Sequence, residues 1–196
     1  MTAIVFANLQ DASPFLKQYE RGRFEGIQEG ETVQDNQITL SITGSGKIKS
    51  TLRIERLLQS EDISKIIHPG SGFSLKTDIS PGTILGISQV YEGDRVELSS
   101  PTYPRMPLEV PFEGLSTATL VTQDHTFTGE SEQSYWQRIA DLRDNTSYAI
   151  AYVAATRGIP CHVLKVVTSS LDDTPKDKTD SEEILGELAK YLVSTL

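Results

Sequence analysis

A chain of 196 residues with 27 Asp and Glu against 18 Lys and Arg, for a formal net charge of −9, is long enough for a full hydrophobic core. It has no basic cluster for polymeric nucleic acid or an anionic membrane surface. Its one cysteine, Cys161, cannot form an internal disulfide and reads as a buried packing residue of a reducing, cytoplasmic compartment. No apolar run approaches the roughly 20 residues that span a bilayer, and the segment from Thr2 to Leu9 is too short for a signal peptide and lacks a basic leader. A single soluble domain over residues 1–196 is expected.

Ala3 to Ala7 is a continuous apolar run that turns polar at Asn8, the pattern of a buried strand breaking at a sheet edge, and it leaves Asp11 at that edge. Pro14 suits the first turn of a helix that starts near Ala12 or Ser13 and covers Phe15, Leu16 and Tyr19. The segments from Arg23 to Ile27 and Gln37 to Ile42 read as two strands of an antiparallel hairpin. Thr43 to Lys47 (Thr-Gly-Ser-Gly-Lys) opens a helix through about Leu58, with Ile48, Leu52, Ile54, Leu57 and Leu58 as its apolar face. It is not a Walker loop, because Ser41 and Ile48 stand where a Gly and a Ser or Thr belong; an anion or sugar site and plain strand-to-helix packing both fit it.

Ser64 to Ile67 runs through His68 and Pro69 into Gly70, Ser71 and Gly72. A serine flanked by glycines at a sheet's carboxyl edge can hold a water, a phosphate or a sugar oxygen, or it can be an ordinary strand-to-loop turn. A strand from Ile84 to Val90 follows, with another near Arg95 to Leu98, and then a proline-rich loop from Ser99 to Gly114. The strand from Ala118 to Thr122 delivers Asp124, His125, Thr126 and Phe127 to an edge. Glu130 to Leu142 is helical in composition, and Asp144 or Asn145 caps a helix carrying Ala149, Ile150, Val153 and Ala154. Cys161 to Val167 is the last core strand; Asp180 and Glu183 open a final helix with a clean apolar stripe from Ile184 to Val193. No metal-ligand cluster is visible.

Strands alternating with helices indicate an α/β sheet covered on both faces. The order of motifs resembles the purine nucleoside phosphorylase and methylthioadenosine nucleosidase superfamily over nearly the whole chain. The segments that carry this are the acidic turn at Asp11, the helix start at Gly44 to Lys47, Gly70 to Gly72, Asp78 to Thr83, Thr122 to Asp124, Ala149 to Val153, and the strand from Gly158 onward. The resemblance implies a three-layer α/β sandwich around a mixed, partly barrel-like sheet. It also implies cleavage of the N-glycosidic bond of a purine-like nucleoside, no cofactor or metal, and a homo-oligomer.

Carried over by position, the resemblance makes Asp11 the carboxylate that activates water and Ser71, with Gly70 and Gly72, the holder of water or phosphate. Thr126 and Phe127 become the base pocket, and Asn145 and Thr146 the ribose site, where the family's carboxylate is missing. Ser169 stands where the family has an acid that protonates the base, leaving Asp172 or Asp173 as substitutes unless these are solvated loop charge. His68 stands where phosphorylases commonly carry a phosphate-holding arginine, which favours water as nucleophile. A catalytically lapsed relative that binds a nucleoside or serves structurally is the alternative.

Overall fold

The computed structural model describes residues 1–94, 104–125, 129–171 and 181–196. Strand β1 (Thr2–Phe6) is apolar on both faces because it is covered on both: Ile4 and Phe6 point to one layer, Ala3 and Val5 to the other. Helix α1 (Leu9–Gln18) begins earlier than Pro14 suggests, since the Asn8 side chain accepts from the Asp11 N–H at 2.8 Å and caps the first turn. Pro14 therefore lies inside the helix and Asp11 in its first turn.

The expected strand over Arg23 to Ile27 does not form. Gly22 and Gly26 take φ of 86° and 100°, and the segment folds as turns that bury Phe24 and Ile27 beside Tyr19. The antiparallel partner of β3 (Ile38–Ile42) is instead the short β2 (Thr32–Gln34). Helix α2 (Lys47–Ser60) buries Ile54 and Leu57, whereas Ile48 and Leu52 are 75% and 55% exposed, so only half of its expected apolar face is core.

Strand β4 (Lys65–Ser74) passes through Gly70, Ser71 and Gly72 without turning, which removes the strand-to-loop reading of that motif. Strands β5 (Ile84–Glu92), β6 (Arg105–Pro107) and β7 (Ser116–Thr122) follow, then α3 (Glu130–Ile139). The expected helix through Leu142 stops short, because Leu142 turns into β8 (Leu142–Asp144), three residues between β4 and β7. Helix α4 (Ser147–Thr156), β9 (Cys161–Ser170) and α5 (Ser181–Thr195) complete the described elements. The expected strand at Arg95 to Leu98 and the cap at Asp180 lie outside the described residues.

The sheet runs β2-β3-β1-β4-β8-β7-β5-β6, and β9 pairs with both β4 and β5. The path β4-β8-β7-β5-β9 closes on itself through parallel and antiparallel pairs, so the mixed sheet is part barrel, as the resemblance implies. Helices α1 and α5 cover one face, around Phe15 and Leu188, and α2 and α4 the other, around Ile54 and Ile150. The result is a three-layer α/β fold. Cys161 is buried within it, and burial pushes its thiol up to about 12. No helix among the described residues is long and apolar enough to cross a membrane.

Candidate active site

A cavity of about 400 Å³ opens where β1, β4, β7, β8 and β9 end, a volume that suits a small ligand. It is lined by Asn8 and Asp11 from the start of α1, Ser71, Gly72 and Phe73 from β4, Arg143 to Thr146 around β8, and Lys165, Thr168 and Ser169 from β9. The structure thus brings Asp11, Ser71, Gly72, Asn145, Thr146 and Ser169 together on one cavity. Thr126, Phe127, Asp172 and Asp173 lie outside the described residues.

Asp11 Oδ2 accepts from the Ser71 N–H at 2.8 Å and from the Ser71 hydroxyl at 3.0 Å. Both bonds load one carboxylate oxygen, and the first turn of a helix, with its unpaired N–H groups, favours negative charge there. Gly70 makes this approach possible: a Cβ at that position would sit 2.7 Å from Asp11 Oδ2, inside any normal contact. Gly70→Ala is expected to push Asp11 aside and reduce kcat about 10²-fold with the fold retained, as steady-state kinetics with a circular dichroism control would show.

Beneath Asp11 and Ser71 lies a buried polar cluster that the sequence reading missed. Lys165 is 1% exposed, and its Nζ is 3.1 Å from Asp144 Oδ2 and 3.1 Å from His68 Nε2. His68 Nδ1 lies 2.7 Å from the Val5 carbonyl, so Nδ1–H donates to it and Nε2 accepts from Lys165. Burial first, then the Lys165 charge, lower its pKa, and His68 is a neutral orienting group rather than a phosphate ligand.

Asp144 also accepts from the hydroxyls of Thr122, Thr146 and Ser147, the last at 2.5 Å, and from the Ser147 N–H; the N-cap of α4 is Thr146 rather than the expected Asp144 or Asn145, and Asp144 serves the helix's first N–H from two residues ahead of that cap. Burial would raise its pKa, but the Lys165 charge first, and then the Ser147 hydroxyl, outweigh burial and hold the carboxyl well below its usual range. Asp144 is thus turned inward to Lys165. A charged residue in the otherwise apolar run from Cys161 to Val167 was the available signal.

The rim is ionic. Lys47 Nζ is 2.6 Å from both Glu92 Oε1 and Asp94 Oδ2, and Asp124 Oδ1 accepts from the Lys47 N–H at 3.0 Å. The helix start at Gly46 is thus already capped by an internal carboxylate, and its role is packing rather than anion binding. His125 Nδ1 is 2.6 Å from Asp94 Oδ1 and Nε2 is 2.7 Å from Glu132 Oε1, while Arg143 donates to the His125 carbonyl.

Both ring nitrogens of His125 face carboxylates, so both carry hydrogen, and the Glu132 bond first, then Asp94, raise its pKa. A raised folded pKa gives stability that is full below the unfolded value near 6.5 and fades as pH rises through the folded value. The gap in Tm between wild type and His125→Asn is accordingly expected to be widest below about pH 6 and to close in alkaline buffer. It is small throughout, because the ring is partly exposed and salt screens it. A pH series of thermal melts checks this.

A mixed sheet closed into a partial barrel between two helical layers, with a polar cavity at the strand ends, defines the nucleoside phosphorylase and nucleosidase fold. Solved structures bear this out. The 5′-methylthioadenosine/S-adenosylhomocysteine nucleosidase of Helicobacter pylori with butyl-thio-DADMe-Immucillin-A superposes with a TM-score of 0.78 at 17% identity, over 98% of this chain and 96% of that one. The futalosine hydrolase of the same organism gives 0.78 at 17% identity, over 100% and 97%. The methylthioadenosine/S-adenosylhomocysteine nucleosidase of Campylobacter jejuni gives 0.79 at 13% identity, over 98% and 96%. No family model and no curated relative matches the sequence.

Proposed function

We propose that this protein is a nucleosidase that cleaves the N-glycosidic bond of a purine-type nucleoside with water. The observation that carries the reading is the Asp11 carboxylate, anchored by Ser71 at the floor of a cavity of nucleoside size, on a fold whose solved examples include nucleosidases. Asp11 has one oxygen fixed by Ser71, which leaves the other to take a proton from water. Its negative charge also favours the positive charge that develops on the ribosyl carbon. Lys165 holds the floor of the site with its charge compensated by Asp144, so the cluster favours neutral water over phosphate, and His68 is spent on Val5 and Lys165.

Asn145 at the mouth and Thr146 beside it are assigned to the ribose. The Thr146 hydroxyl is shared with Asp144 and His68, so its contribution is to set the wall rather than to supply a free donor. Ser169 is assigned to the base. It pairs in register with Phe73, and Phe73 with Arg143, which places all three on the cavity side of neighbouring strands. A hydroxyl hydrogen-bonds a departing base but does not protonate it readily, an observation that also favours a second reading, a lapsed relative that binds nucleosides without cleaving them. Base release from purine, pyrimidine and 5′-modified nucleosides in phosphate-free buffer separates the two. Release supports the hydrolase, and binding by calorimetry without release supports the lapsed relative. Neither fits a protein that ignores nucleosides.

A further inference from the structure

Gln123, which stands immediately after β7, is 1% exposed and lines the cavity. Its Nε2 donates to Glu132 Oε1 at 2.9 Å and lies 3.4 Å from the Gly93 carbonyl. Glu132 also takes the His125 Nε2–H, and a carboxylate accepts only, so the amide is locked with its nitrogen toward α3. Gly93 packs against the same side chain: a Cβ there would stand 2.4 Å from Gln123 Cγ. The lock leaves Gln123 Oε1 buried without a hydrogen-bond partner, the one side-chain atom in that condition among the described residues. A buried acceptor with no donor is costly, and a cavity wall is where a ligand supplies the donor.

We propose that Gln123 reads the base edge, its amide oxygen accepting an N–H of the bound base, an inference that rests on the nucleosidase reading. Strand β8 lies between β4 and β7, so Gln123 stands two strand spacings, about 10 Å, across the cavity from Ser71. With the glycosidic carbon held at Asp11 and Ser71, the far edge of a purine lies toward Gln123. That edge offers an N–H when it carries a 6-amino group or a 6-oxo group with protonated N1. An unsubstituted purine offers lone pairs there and leaves Oε1 unpaired. Gln123 is thus a specificity residue for substituted purines, set by the chain from Asp94 through His125 and Glu132.

The test compares adenosine, inosine and purine riboside as substrates, and adenine, hypoxanthine and purine as ligands by calorimetry, for wild type and Gln123→Met. Wild type is expected to disfavour the unsubstituted purine by roughly 10- to 100-fold in kcat/KM and in Kd. Gln123→Met keeps the volume and removes the unpaired oxygen, so Tm is expected to hold or rise while the discrimination falls to about threefold or less. Gln123→Leu serves if the methionine variant does not fold. Wild type that takes unsubstituted purine as well as the others, or a folded variant that discriminates as before, overturns the proposal. If no nucleoside is cleaved, the hydrolase reading fails, yet the three free bases still decide this one: preference for adenine or hypoxanthine, which carry an N–H on the six-membered ring, over purine supports it, and equal or absent binding overturns it.

Discussion

Asp11→Asn is expected to lower base release by about 10²–10⁴-fold with no loss of folded structure, the range typical of a general base. The amide is isosteric, and its oxygen still accepts from the Ser71 N–H and hydroxyl, so the clamp at 2.8 and 3.0 Å survives. The negative charge and the ability to take a proton from water are what the substitution removes. A discontinuous assay of released base in phosphate-free buffer, with a thermal melt on the same sample, checks both halves. A variant that turns over near the wild-type rate would remove Asp11 from the reaction.

The second large effect concerns stability. Asp144→Ala strands the Lys165 ammonium in the interior with only the neutral His68 beside it, and it removes the acceptor for three hydroxyls and for the first N–H of α4. Removing one partner of a buried pair of this kind costs about 3–5 kcal/mol, measurable by urea denaturation at neutral pH. The double variant Asp144→Ala with Lys165→Met is expected to recover part of that loss, since the uncompensated charge goes with the lysine.

The sign with pH follows from the depressed carboxyl of Asp144. Its contribution is present above the unfolded value near 3.9 and is lost as pH falls through the folded value, so the gap between wild type and variant narrows in acid. A gap that widens below pH 4 would contradict the assignment of Asp144 as the ionised partner.

Much of this fold is legible in the sequence where periodicity and burial agree. The unbroken apolar run of β1, and the run of β9 that only His162 and Lys165 interrupt before Thr168, require cover on both faces, and the stripe from Ile184 to Leu192 requires one. The reading failed where local signals compete with tertiary structure. Arg23 to Ile27 has strand composition, but glycines at positive φ and the ring of Tyr19 turn it into buried turns. Leu142 continues a helical composition, yet the gap between β4 and β7 claims it for a strand.

The site divides in the same way. Asp11 and Ser71 stand out beside glycines and at a strand end, which local sequence reports. The pairing of Lys165 with Asp144 and the buried oxygen of Gln123 depend on residues 21 and 9 positions away in sequence, brought together only by the closed sheet. The lone lysine in an apolar strand announced that a partner existed but not which. Asp144, read from the sequence as a helix cap, lies two residues ahead of the actual N-cap, Thr146, and from there serves both the first N–H of α4 and Lys165.

The central claim is that water, positioned at Asp11 and Ser71, attacks the ribosyl carbon. Turnover of a cleavable purine nucleoside in ¹⁸O-labelled water, with phosphate present, tests it most directly, with mass spectrometry of the sugar product. The account predicts free ribose carrying one ¹⁸O at the anomeric carbon in a time too short for exchange, with phosphate left unconsumed. Ribose 1-phosphate as the product would contradict it, and would make the cluster of Lys165 and His68 a phosphate site rather than a support for Asp11.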